Sequence, residues 1–201
     1  MYAALLTVSS ASGTEISGLY NTGVDNNRVR LPNGAPEQHY SVTGMASNAY
    51  AVTETPPPPY YPYVQPAADA LWIAPGNYYY APQGEYIYTL TVDLTGLDYT
   101  KATISGQWSS DNDSTIFLNS VSTGFTADAL AFTSLHDFTI NEGFVQGVNT
   151  LEFHVNNGDL TPWGENPTLL LVQNLHGESV PEPGTLCLLG LGVLSLFKMK
   201  P

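Results

Sequence analysis

Residues 85–94 read EYIYTLTVDL, and their alternation decides the fold class. Tyr86, Tyr88, Leu90, Val92 and Leu94 fall on one side, and Ile87, Thr89, Thr91 and Asp93 on the other. A period of two held this long marks a β-strand with one face in a core. Outward from it, Thr95-Gly96 turns the chain, and Ala102, Ile104, Gly106 and Trp108 then alternate with Thr103, Ser105 and Gln107. Asp111-Asn112-Asp113 is read as a turn into Thr115–Leu118. Phe138 and Ile140 mark a further strand, and Leu151, Phe153 and Val155 another, closed by an Asn156-Asn157-Gly158 turn. Thr168 to Val172 is continuously apolar, the form of a strand buried on both faces. Upstream, Ile16, Gly18 and Tyr20 alternate, His39–Val42 is extended, and strand character resumes over Ala70–Ile73. Turn clusters at 21–23, 25–27 and 32–34 separate these pieces. Nothing before Gly184 has a helical period. The pattern predicts an all-β fold, a jelly roll or β-sandwich of about eight or nine antiparallel strands.

Composition sets the outer limits. The 201 residues, 43% of them apolar, suffice for one sizeable core, placed at residues 14–178 as a single domain. Charged residues make up only 11%, which suits an exported β domain rich in turns. Up to Val180 three basic residues (Arg28, Arg30 and Lys101) face seventeen acidic ones. Such a surface repels polyanions, so nucleic acid is excluded as a partner. The single cysteine, Cys187, lies near the C-terminus and leaves the body without a disulfide. Residues 1–13, MYAALLTVSSASG, have an apolar stretch and small residues at 10–12 but no basic start, and are read as the remnant of a truncated signal peptide. Pro56 to Pro66, PPPPYYPYVQP, is expected to form a polyproline II arm.

Few residue patterns suggest chemistry. Asp111-Asn112-Asp113-Ser114-Thr115 spells D-x-D-x-T, a phosphotransferase string that needs a parallel α/β sheet, which this chain does not predict. An EF-hand fails because Ile116 stands where glycine is required. Asp111 and Asp113 remain candidate ligands of a structural calcium, against the alternative that they simply make turns; no other cofactor is expected. The four histidines are scattered, His154 is read as a solvated strand residue, and Ser134, His136 and Asp137 cannot make a triad by spacing alone. The chain is therefore read as non-catalytic. Sugar rings stack on exposed aromatics, and Trp72, Tyr78, Tyr79 and Trp163, in or beside predicted loops, are the candidate glycan-binding residues. The alternative makes Trp72 and Trp108 core residues, and this is preferred for Trp108.

The last stretch, residues 180–201, reads VPEPGTLCLLGLGVLSLFKMKP. Pro181-Glu182-Pro183 is a stiff, non-helical tripeptide. The uncharged run that follows comprises Thr185, Leu186, Leu188, Leu189, Leu191, Val193, Leu194, Leu196 and Phe197 among small residues, and Lys198 and Lys200 close it. As a helix of about 13 residues it would rise about 20 Å, against a hydrocarbon core of about 30 Å. Hydropathy alone fits either an apolar C-terminal core helix or a membrane segment.

The order Pro-Glu-Pro, apolar run, basic end resembles the PEP-CTERM sorting signal of exported bacterial proteins, with lysines where that family favours arginines and with a shorter run. The resemblance implies recognition of Pro181, Glu182 and Pro183 by exosortase, a transient membrane anchor, and release to a cell surface or matrix rich in extracellular polysaccharide, as in biofilm or floc. Within the body, Ala102–Gly106, Trp108, Asp111-Asn112, Ile116–Asn119 and Gly147–Leu151 resemble galactose-binding-like jelly rolls, with Ser120 where a glycine is usual. That second resemblance implies a β-sandwich but no one function, because the fold hosts many binding roles; the alternative functions are a carbohydrate-binding module and, after it, a surface glycan hydrolase.

Overall fold

The computed structural model describes residues 13–53, 62–158 and 165–182. Residues 1–12 of the expected signal-peptide remnant, the proline run of the arm, Trp163 and the tail from Pro183 onward, with its expected helix, lie outside them. The described chain forms β1 (Thr14–Glu15), β2 (Tyr40–Gly44), β3 (Tyr50–Val52), β4 (Trp72–Ala74), β5 (Tyr80–Pro82) and β6 (Gly84–Asp93). These are followed by β7 (Thr103–Asp111), β8 (Asp113–Leu118), β9 (Val121–Ala127), β10 (His136–Ile140), β11 (Val148–Asn157), β12 (Glu165–Pro167) and β13 (Leu169–Ser179). Single 3-10 turns lie at Tyr99–Lys101 and Ala131–Thr133.

All these strand pairs are antiparallel. One sheet has the order β10-β7-β13-β4-β3, with β1 beside β13, and the other has the order β2-β6-β11-β8-β9. β12 and β5 form a small ribbon. Leu90, Ile116 and Phe153 from one sheet share a core with Ile104, Trp108 and Val172 from the other, which makes the body a β-sandwich. The long alternation of β6 is realised as read: Tyr86, Tyr88, Leu90 and Val92 are buried and Thr91 and Asp93 exposed.

Among the described residues thirteen strands stand where eight or nine were predicted. Five of them have only two or three residues, too few to show a period. β9 escaped notice for another reason. It is an edge strand whose residues are mostly exposed or half-buried, so no apolar alternation marks it. The expected strand from Ile16 to Tyr20 is instead irregular chain laid along β13, with Ile16 and Leu19 buried and Gly18 at φ +83°.

The continuous apolar run has a physical explanation. Leu170 and Val172 of β13 enter the core between the sheets, whereas Leu169 and Leu171 enter a second cluster on the outer face with Trp72, Tyr63 and Phe132. A strand covered on both sides needs apolar residues on both sides. Tyr63, from the end of the proline arm, supplies part of that cover, its ring 5.5 Å from Trp72 and 4.8 Å from Phe132. Close packing at the β13–β7 seam requires Gly177, where a Cβ would lie 2.7 Å from the Thr103 carbonyl and 2.8 Å from Leu19.

Candidate sorting site

The sorting motif starts where β13 stops, with no intervening linker. The Ser179 hydroxyl donates to the Asp98 carbonyl at 2.7 Å. Asp98 N–H donates to the Val180 carbonyl at 2.7 Å, and Glu182 N–H to the Gly96 carbonyl at 3.1 Å. Leu97 and Pro181 face each other as an antiparallel bridge. The hydrogen bonds on either side of that bridge run through Val180 and Glu182, so Pro181 occupies the non-hydrogen-bonded position. A proline there forfeits no ladder bond. Gln146 Nε2 completes the clamp by donating to Glu182 Oε1.

The receiving turn is itself fixed. Leu94 is fully buried, Leu97 N–H returns to the Leu94 carbonyl at 3.0 Å, and Gly96 takes φ +80°, which only glycine adopts without strain. Asp93 Oδ1 accepts from the Thr95 hydroxyl at 2.6 Å and the Thr95 amide at 2.8 Å. These bonds hold the Asp93 carboxyl below the usual range. The motif's first two residues, Pro181 and Glu182, are half-buried against this turn. Pro183, the apolar residues from Thr185 to Phe197, Lys198 and Lys200 lie outside the described residues. Among the described residues no helix is long and apolar enough to cross a membrane.

The candidate glycan residues are dispersed. Trp72 is a correction: it is 1% exposed, its Nε1 donates to the Val64 carbonyl at 3.2 Å, and it has no free face for a sugar. The extended stretch over Ala70–Ile73 was legible, but not the cover that Tyr63 and Phe132 bring to Trp72 from distant parts of the chain. Tyr79 is also largely buried, whereas Tyr78 is 53% exposed and Tyr80 40%. The three tyrosine rings cluster in tilted contact, with centroids 4.2–5.6 Å apart. Trp108 is in the core as expected, its Nε1 donating to Ser114 Oγ at 3.0 Å.

The Asp-Asn-Asp segment is the junction of β7 and β8, and its two carboxylates sit in different surroundings. Asp111 is buried and receives hydrogen bonds from the Tyr63 hydroxyl and from Asn112 Nδ2. Burial pushes its carboxyl up to about 7, against the opposing pull of those two donors. Asp113 is half-buried and takes the Asn156 amide at 3.2 Å. Among the described residues no group of three or more His, Cys, Asp or Glu could hold a metal ion.

A buried polar network was not anticipated. Asn112 Oδ1 accepts from Asn166 Nδ2 at 2.7 Å and from Gly158 N–H at 3.1 Å. Asn157 Nδ2 donates to the carbonyls of Ala81, Pro82 and Asn166. The Asn156–Gly158 turn of the sequence reading is therefore, at Asn157, a strand residue tying β11 to the small ribbon. His154 corrects a second reading. It lies between Glu85 and Glu152, at 3.3 and 3.2 Å, and stacks on Phe117 at 4.1 Å. At Glu152 burial raises the carboxyl, but hydrogen bonds from His154, Thr150 and Ser120 outweigh it and lower it. Ser134 Oγ lies 3.5 Å from His136 Nε2, while the Asp137 carboxylate takes Gln107 at 2.8 Å.

The molecule is thus an antiparallel β-sandwich that carries a docked C-terminal motif on its last strand. Residues 179–200 match the PEP-CTERM protein-sorting motif, the address of exported surface proteins that are anchored transiently in the membrane and processed by exosortase. No curated protein matches the chain. Among solved structures it is similar to an isomalto-dextranase of Arthrobacter globiformis T6 in complex with panose, at 12% identity and a TM-score of 0.34. That similarity covers 70% of this chain and 23% of the dextranase.

Proposed function

We propose that the chain is a non-catalytic component of a bacterial cell surface or extracellular matrix, delivered by an exosortase system and associated with extracellular polysaccharide. The observation that carries this reading is the sorting motif, joined directly to the last strand of a folded β-sandwich. On this reading the apolar run from Thr185 halts export in the bilayer, exosortase acts at Pro181-Glu182-Pro183, and the sandwich remains as the mature product. Mass spectrometry of the mature protein from strains with and without exosortase tests it. The expected result is loss of the tail near the motif only when the enzyme is present. An exported product that retains Leu188–Phe197 in both strains would overturn the reading.

A second reading, a carbohydrate-binding module, is favoured by the exposed pair Tyr78 and Tyr80, whose rings lie 5.6 Å apart. Exposed aromatic rings on a β-sandwich offer a sugar ring an apolar face. Gel retardation in soluble polysaccharides, with Tyr78→Ala and Tyr80→Ala alongside, distinguishes it. Equal mobility of all three proteins across a broad glycan panel would discard it.

A further inference from the structure

The end of the sandwich from which the tail departs also gathers exposed apolar side chains. Leu94 N–H bonds the Gly147 carbonyl there, Val148 pairs with Asp93, and Tyr99 follows the clamp residue Asp98. Tyr99, Val145 and Val148 are 36, 47 and 60% exposed. At the same end Val121, 69% exposed and paired with Leu118, opens a groove of about 510 Å³ whose lining includes Leu118, Phe125 and Ile140.

Chain length dictates where this end must lie. Glu182 is hydrogen-bonded to the body, and the apolar run opens at Thr185. The three Cα steps between them span about 10 Å at full extension. A headgroup layer is about 5–8 Å thick on each side of the bilayer. An apolar run too short to cross comfortably also leaves no slack, because mismatch draws its flanks inward. With the tail embedded, the clamp sits at the headgroups.

We infer that this end of the sandwich is a membrane-apposed surface, seating Tyr99, Val145 and Val148 against the headgroup layer of zwitterionic lipid while the tail is anchored. The inference rests on the membrane reading of the tail. The chemistry of the rim agrees with zwitterionic lipid. Asp93, Asp98 and Glu182 turn their carboxylates to Thr95, Thr100 and Gln146, and Lys101 is the basic residue beside them. The acids still outnumber that lysine, so anionic lipid repels the rim.

The test uses the full chain with Cys187→Ser, carrying an environment-sensitive fluorophore at Val148→Cys or, at the opposite end, at Met45→Cys. Met45 is 54% exposed and bonds the Glu85 carbonyl near the start of β6. In phosphatidylcholine vesicles with a headgroup-bound nitroxide, quenching at 148 should exceed that at 45 several-fold, and admixed phosphatidylglycerol should reduce it. Equal quenching at both positions in a chain that floats with the vesicles would overturn the apposed surface and leave the sorting reading standing. A chain that does not float with them would overturn the membrane reading of the tail, and this inference with it.

Discussion

Asp111 shows how a single carboxyl can set the pH response of the body. Its folded value, about 7, lies above the roughly 3.9 of an unfolded aspartate. The protonated form is therefore favoured by folding, and its stabilisation is complete below about pH 4. It is lost as pH rises through 7. Thermal or urea unfolding should show stability falling between about pH 4 and 7, by as much as about 4 kcal/mol. Asp111→Asn, which keeps partners for Tyr63 and Asn112, should flatten that slope. An unchanged slope in the variant would assign the titration elsewhere. Trp108, buried with its indole on Ser114, is the complementary packing case. Trp108→Ala should cost about 3–5 kcal/mol in urea denaturation.

At the scale of elements, the clamp on residues 179–182 is held by few bonds and is correspondingly testable. Each hydrogen bond is worth about 0.5–1.5 kcal/mol net. Ser179→Ala with Gln146→Ala should speed amide exchange at Asp98 and Glu182 by about tenfold or more, while amides of β6 keep their protection. Gly177→Ala acts differently, because its methyl must enter space held by the Thr103 carbonyl and Leu19. It should lower the unfolding midpoint and perturb the β13–β7 seam before the rest. These cases also show what the sequence displayed and what it hid. β6, β7 and β11 were legible because each has one buried and one half-open face, which writes a period of two. β13 was legible as a run because both its faces are covered. β9 was invisible since neither face carries apolar alternation, and β5 and β12 were too short. The Pro-Glu-Pro string was legible as an address, yet its docking on Gly96–Asp98 was not, because the bonds are backbone contacts between segments some eighty residues apart. Trp72 was misplaced for a related reason: burial on the outer face depends on Tyr63 and Phe132 arriving from distant parts of the chain.

For the molecule as a whole, β13 lies between β7 and β4 and also bears β1. Removing it would separate β10-β7 from β4-β3 and open both cores. A chain ended at Thr168 should therefore give no cooperative unfolding transition, whereas one ended at Glu182 should unfold much like the full body. The strand that unites the sheet is thus the last strand of the body to be synthesised. A polypeptide threaded outward from its N-terminus cannot close the sandwich until residue 179 has emerged, and the next residues in line are the sorting motif and the apolar run. On the proposed sorting, folding of the cargo and arrival of its address at the membrane would then be nearly simultaneous, with the timing of delivery written into strand order.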